Sequence, residues 1–338
     1  MDLHCSRVAL SPDIGTAMRA VETQSALGIF LVTSGLFLFS IQDIIIKSFS
    51  DQYSVLQIVF YRSITGAAIM LVILRFAVPR NAVRLRRKWP VYIKATLAFS
   101  SYTTFYLAIA LLPLADVATI TFAAPIIVTV LSAIVFRDPV GPRRWIGVFL
   151  GFVAIVLVVG PSGHINNAGA VLAALAALTY AVSTITTRFI HQDDTASVTA
   201  FYTVLVYLAG CLITASVVIG MGLYGAEEPI SLAFLFREWS HPSHLHQWIF
   251  LTMGAVATAG FYCLVKAYMV AEFSAVAPFE YTYILWSVLF GFLFWNEIPS
   301  TTTAFGIVLL ISSNLYILNR EMKANQRTAF RKPRIPRR

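Results

Sequence analysis

The sequence predicts an all-α integral membrane protein with ten transmembrane helices, arranged as two inverted five-helix repeats. Three observations predict it. Ten separate apolar stretches run from Ala26 to Asn319, the basic residues gather on one side of them, and the second half of the chain echoes the first. Each stretch holds roughly 17–25 mostly apolar residues, enough to cross a hydrocarbon core at about 1.5 Å of rise per residue.

The spans are placed at 27–47, 55–76, 91–112, 115–136, 144–160, 168–190, 198–220, 247–271, 274–295 and 302–319. Helix breakers separate them: Val78-Pro79-Arg80-Asn81, Asp138-Pro139-Val140-Gly141-Pro142, Gly160-Pro161-Ser162-Gly163 and Ile298-Pro299-Ser300. Spans 3 and 4, and spans 8 and 9, are joined by very short turns and form tight antiparallel hairpins. Composition agrees, with 58% of the 338 residues hydrophobic and 12% charged, against about 45–50% and 25% in soluble domains. The domain reading is a tail at 1–25, a first repeat at 26–160, a second at 161–320 and a basic tail at 321–338. Met18 offers an alternative start to Met1, and residues 1–25 carry no cleavable signal peptide.

Basic residues set the orientation. With the N-terminus inside, twenty of the 25 Lys and Arg residues fall on the inner side and two, Lys47 and Arg237, on the outer. Both termini are therefore expected in the cytoplasm of a bacterial cell, with the protein in the inner membrane. The net charge of +9 sits beside spans, where it reads as a topology anchor on anionic lipid and not as a nucleic-acid surface.

The repeat rests on two alignments. Ser34–Ser40 followed by Lys47 matches Ala177–Ala181 followed by Arg188 at an offset of 141. Ala115 through Asp138-Pro139 matches Ser274 through Glu297-Ile298-Pro299 at an offset of 159. Five spans per copy is an odd number, so the second copy is inverted, the plan of many secondary transporters.

Ionisable residues inside spans are costly and stand as candidate functional groups. Asp43 lies ~6 Å inside the outer end of span 1, and Arg62 ~10 Å inside the same end of span 2. Lys266 and Glu280 lie about 8–9 Å inside the opposite end, on spans 8 and 9. Asp43 with Arg62, and Lys266 with Glu280, are read as substrate-binding or gating pairs; static ion pairs holding helices in register are the competing reading. Lys47 and Lys94 are expected to snorkel to the interface. Tyr102 and Tyr106 share a face of span 3 at i, i+4, and Tyr281 and Trp286 lie on span 9; such rings suit a flat heteroaromatic or a cation. Pro125 and Pro278 are hinge candidates, with a tolerated kink as the alternative.

These residues, with Ser40–Lys47, Phe60-Tyr61-Arg62, Ala277–Tyr281 and Phe294–Pro299, resemble the drug/metabolite transporter superfamily in its ten-helix EamA-like branch, and within it the bacterial riboflavin and S-adenosylmethionine uptake subgroup. The resemblance covers roughly 26–320 and departs at Arg137-Asp138-Pro139, where Glu-x-Pro is usual. It implies that helices 1–4 and 6–9 line a cavity, while helices 5 and 10 pack outside and offer a homodimer surface. It also implies a transporter of a small organic metabolite by alternating access, with riboflavin uptake first. S-adenosylmethionine uptake comes second, and export of amino acids or drugs third. An intramembrane enzyme or receptor is the rival class, but no catalytic constellation, phosphate loop or HExxH motif is present. No catalytic residue, cofactor or metal is expected; His241, His244 and His246 lack an acidic or Cys partner nearby.

Overall fold

The computed structural model describes residues 14–77, 85–135, 142–159, 167–190, 196–226, 230–271 and 276–329, and among these every regular element is helical. In chain order the helices are α1 (Ile14–Phe49), α2 (Val55–Ala77), α3 (Lys88–Leu111), α4 (Leu114–Thr121), α5 (Ala124–Val135), α6 (Pro142–Val159), α7 (Asn167–Thr186), α8 (Ala196–Gly220), α9 (Ile230–Phe236), α10 (His244–Val270), α11 (Thr282–Trp295) and α12 (Thr301–Ala329). Short 3₁₀ turns at Thr187–Phe189 and Ala277–Tyr281 follow α7 and precede α11. The 8–9 connection, the Asp138-Pro139 phrase and the basic tail beyond 329 lie outside the described residues.

Six segments are long and apolar enough to cross a membrane: Ala26–Phe49, Val55–Phe76, Leu114–Val135, Ala168–Thr186, Ser197–Gly220 and His244–Val270. Trp145–Val158 and Thr301–Ser313 are shorter apolar helices. The protein is thus a multi-pass helical membrane protein. Helix α3 is less apolar because Ser100, Ser101, Thr103, Thr104, Tyr102 and Tyr106 occupy its middle, and part of that polarity turns inward.

Helix pairing follows small residues, which let backbones meet where lipid gives apolar faces no reason to choose a partner. Helix α1 packs along α10, α3 along α7, α6 along α12 and α2 along α8. In addition α2 touches α10, α3 touches α8, α4 touches α11, and α1 touches α11. At the α1–α10 crossing a side chain on Gly35 would lie 2.8 Å from the Gly260 carbonyl oxygen. At the α3–α7 crossing, the Ser101 hydroxyl donates to the Ala176 carbonyl at 2.8 Å. On α12, a Cβ at Gly306 would meet Val158 of α6 at 2.4 Å.

Proline breaks the fourth span. Helix α4 ends at Thr121 and α5 resumes at Ala124, so Pro125, which has no N–H to give, sits in the first turn of α5. Pro278 likewise sits in the opening 3₁₀ turn ahead of α11. Of the two, Pro125 stands at a break between described helices.

Candidate functional site

The polar centre of the bundle is assembled from five helices. Helix α1 supplies Gln42 and Asp43, α2 supplies Arg62, α3 supplies Tyr102 and Tyr106, α8 supplies Tyr207, and α11 supplies Tyr283. The i, i+4 spacing on α3 sets the Tyr102 and Tyr106 rings 6.0 Å apart, and Tyr207 lies 6.1 Å from Tyr102. The Arg62 guanidinium donates to the Tyr106 phenol at 2.6 Å and lies over the Tyr102 ring at 5.7 Å. From the other side Gln42 Nε2 donates to the same phenol at 2.6 Å. Tyr283 then donates to Asp43 Oδ2 at 2.6 Å. Tyr106 is wholly buried, with Gln42 2% and Asp43 5% exposed.

Asp43 and Arg62 therefore belong to one network but form no direct ion pair within 4 Å; among the described residues that distance is met by Lys47 and Glu297. Arg62 makes one side-chain hydrogen bond among the described residues, to the Tyr106 phenol, and is half-buried. Its backbone is held by close approach: a Cβ at Gly254 on α10 would lie 2.3 Å from the Arg62 carbonyl oxygen. One amide atom remains unanswered, Gln42 Oε1.

A second cluster lies one turn further along α1. Lys47 Nζ contacts Glu297 Oε1 at 2.5 Å, donates to the Leu112 carbonyl at 3.0 Å, and sits 5.1 Å from the Trp295 ring centroid. Glu297 Oε2 accepts from the Leu114 N–H at 3.0 Å, so a carboxylate caps the start of α4. Local sequence aims that carboxylate. Asn296 ends α11 in the left-handed region at φ 54°, with the Asn296 and Glu297 N–H groups folding back to Phe292 and Gly291. A Cβ at Gly291 would stand 3.1 Å from Glu297 Oε2. Beside this cluster Thr303 donates to buried Asp116 at 2.8 Å. Lys47 does not snorkel to the interface as expected: its side chain is 9% exposed, because a carboxylate and a carbonyl meet its charge inside the protein.

The remaining predicted residues are spread more widely. Lys266 and Glu280 are half-buried and no ion pair within 4 Å joins them. Tyr281 packs on Phe122 of the α4–α5 break, with ring centroids 5.9 Å apart, and Trp286 packs edge-on to Phe37 at 5.0 Å. His246, in the first turn of α10, pairs with the Tyr53 hydroxyl at 2.7 Å, just ahead of α2. Sequence reasoning passed over Gln42, Tyr207, Tyr283, Asp116 and Glu297 as site residues. A Gln and an Asp in apolar runs were available signals; the two tyrosines were lost among many aromatics.

A multi-pass helical bundle that gathers an arginine, an aspartate and hydrogen-bonded tyrosines at its centre has the build of a membrane transporter. The chain belongs to the EamA-like transporter family, whose sequence model matches residues 26–160 and again 167–319. Among its relatives, the S-adenosylmethionine uptake transporter of Rickettsia prowazekii is 22% identical over 87% of this chain and 91% of the relative. The riboflavin transporter of Vibrio cholerae is 26% identical over 60% of this chain and 62% of its own length. A pseudopaline exporter of Pseudomonas aeruginosa is 23% identical over 84% and 93%. A solved crystal structure, 16% identical, superposes with a TM-score of 0.57 over 88% of this chain and 98% of its own, a likeness of fold.

Proposed function

We propose that the protein is an inner-membrane secondary carrier of a small organic metabolite, with ten spans in two inverted halves, 26–160 and 161–320, and both termini cytoplasmic. It works by alternating access around the Arg62–Tyr106–Gln42–Asp43 network. The observation that carries this reading is that network: Arg62 and Gln42 donate to one buried phenol, the neighbouring Asp43 carboxylate is held by Tyr283, and no ion pair within 4 Å joins Arg62 to Asp43.

The inversion has support in residue numbers. Shifting the Gly35–Gly260 crossing by the two sequence offsets, 141 forward and 159 back, lands on Ala176 and Ser101. The helix pairs obey the same exchange, α1–α10 answering α3–α7, and α2–α10 answering α3–α8. The double family match speaks for the same division. A homodimer through α6 and α12 fits their outward apolar residues Phe149, Phe152, Phe305 and Val308, which lipid would otherwise cover.

Relatives named for uptake of one solute, transport of a second and export of a third leave both direction and solute open to assay, and riboflavin holds no special claim among them. The test is uptake of radiolabelled S-adenosylmethionine and riboflavin by cells lacking their own importers, with and without this chain, beside Arg62→Ala. Uptake that needs the chain and falls with Arg62→Ala supports the reading. Transport by Arg62→Ala at the full rate, with equal protein in the membrane, removes the network from the mechanism.

A further inference from the structure

We infer that the connection from Leu232 to His246 is a latch that holds one mouth of the carrier shut and biases the protein toward the opposite face. This rests on the alternating access proposed above, whose topology puts the latched mouth outside.

The two mouths are not alike. Exchanging the halves by the two sequence offsets turns α1 into α7, α2 into α8 and α3 into α10. Packing of α1 and α2 against α3 would then be matched by packing of α7 and α8 against α10. Among the described residues the first is present and the second has no comparable counterpart. At the outer mouth Lys47 of α1 donates to the Leu112 carbonyl at the end of α3. On the far side Leu114 and Asp116 of α4 are tied to Glu297 and Thr303. The seam that must part to open this mouth therefore runs between the α1–α2 turn and a block made of α3, α4 and the start of α12.

The connection between α8 and α10 lies across that seam. On the α1–α2 side it is held through its backbone. Gln57 Nε2 donates to the Ser240 carbonyl at 2.5 Å, and the Ser240 N–H donates to Gln57 Oε1 at 3.2 Å. The Ser54 hydroxyl donates to the Leu235 carbonyl at 3.3 Å, and Arg237 donates to the Ser50 carbonyl. Trp239 packs on Phe60 with ring centroids 5.4 Å apart. Beyond these anchors α9 lies against α3 as well as α2, with Phe234 and Phe236 each 6% exposed. Parting α3 from α2 strips that apolar contact. The counterpart connection in the first half, 77–90, is shorter in sequence. An inverted repeat alone gives its two mouths similar contacts, so an element added at one mouth stabilises the state that closes it.

The test measures opening of the mouth without a solute. Spin labels at Gln52→Cys and Thr301→Cys, exposed positions on the two sides of the seam, are placed in the full chain with Cys5, Cys211 and Cys263 replaced by alanine. Pulsed electron double resonance in lipid nanodiscs reads closed and open mouths as two distance populations. The short distance should dominate in the parent. Gln57→Ala and Arg237→Ala each remove an anchor and should raise the open-to-closed ratio about 3- to 10-fold. Phe234→Ala, which removes a buried ring of α9, should raise it about 10-fold or more. Melting temperature is read alongside, because a connection that only supports the fold would lower it and leave the ratio unmoved. That result in folded variants, or a parent already open at this mouth, overturns the latch. Should Phe234→Ala fail to fold, the two anchor variants decide. A shifted ratio in a protein that takes up neither S-adenosylmethionine nor riboflavin upholds the latch and counts against the carrier reading alone.

Discussion

Replacing Lys47 and Glu297 by alanine, singly and together, probes whether the contact closing one end of the bundle acts as a buried ion pair. At 2.5 Å, unit charges attract by about 6–7 kcal/mol at an effective dielectric near 20, yet both ions give up water to meet. The side chains are 9% and 20% exposed, well below the surface pairs worth about 0–1 kcal/mol. Removing one partner leaves Lys47 with the Leu112 carbonyl and the Trp295 ring, or Glu297 with the Leu114 N–H, and no opposite charge, a situation that costs about 3–5 kcal/mol when fully buried. Discounted for the exposed fifth of Glu297, each single change should cost about 2–4 kcal/mol. Glu297→Ala should sit at the upper end, because it also uncaps the Leu114 N–H. The double variant should cost clearly less than the two singles added, since no orphaned charge is left. The assay is denaturation in mixed micelles followed by circular dichroism, read as a double-mutant cycle. Single costs that add to within about 0.5 kcal/mol would show the two groups independent and refute the reasoning.

Three further outcomes follow from the packing around the central network. Gly254→Ala must push α10 off the Arg62 carbonyl, costing about 1–3 kcal/mol and most of the transport, whereas Gly220→Ala, with nothing within 4 Å, should be silent; uptake and melting temperature check both. Tyr106→Phe deletes the oxygen shared by Arg62 and Gln42, so a folded variant should lose about 1–3 kcal/mol of stability and at least tenfold in uptake rate. Thr303→Val takes the donor from buried Asp116 and should cost about 1–3 kcal/mol in the same denaturation assay, with Thr303→Ser restoring most of it.

Much of this site was visible in the chain. Asp43 and Arg62 announced themselves as charges in apolar runs, and the spacing of Tyr102 and Tyr106 placed both on one face. What stayed hidden was who meets whom. Asp43 and Arg62 were expected to touch, but the Tyr106 phenol stands between Arg62 and Gln42, and Tyr283 takes the carboxylate. Lys47 looked like an interfacial lysine because its partner lies 250 residues away, reached only when the left-handed Asn296 turns Glu297 back toward α1. Gln42 carried too little polarity to stand out beside an aspartate.

Run lengths of apolar residues, the excess of positive charge on one flank and the breakers between runs are local properties, and they settled that this chain lives in a membrane as a bundle of helices. Neighbour choice is a different matter. Lipid is as apolar as leucine, so an oily helix face does not select its partner. Selection came from Gly35 meeting Gly260, Ser101 reaching Ala176 and Gly254 admitting the backbone of Arg62, contacts that exist only once distant segments have come together.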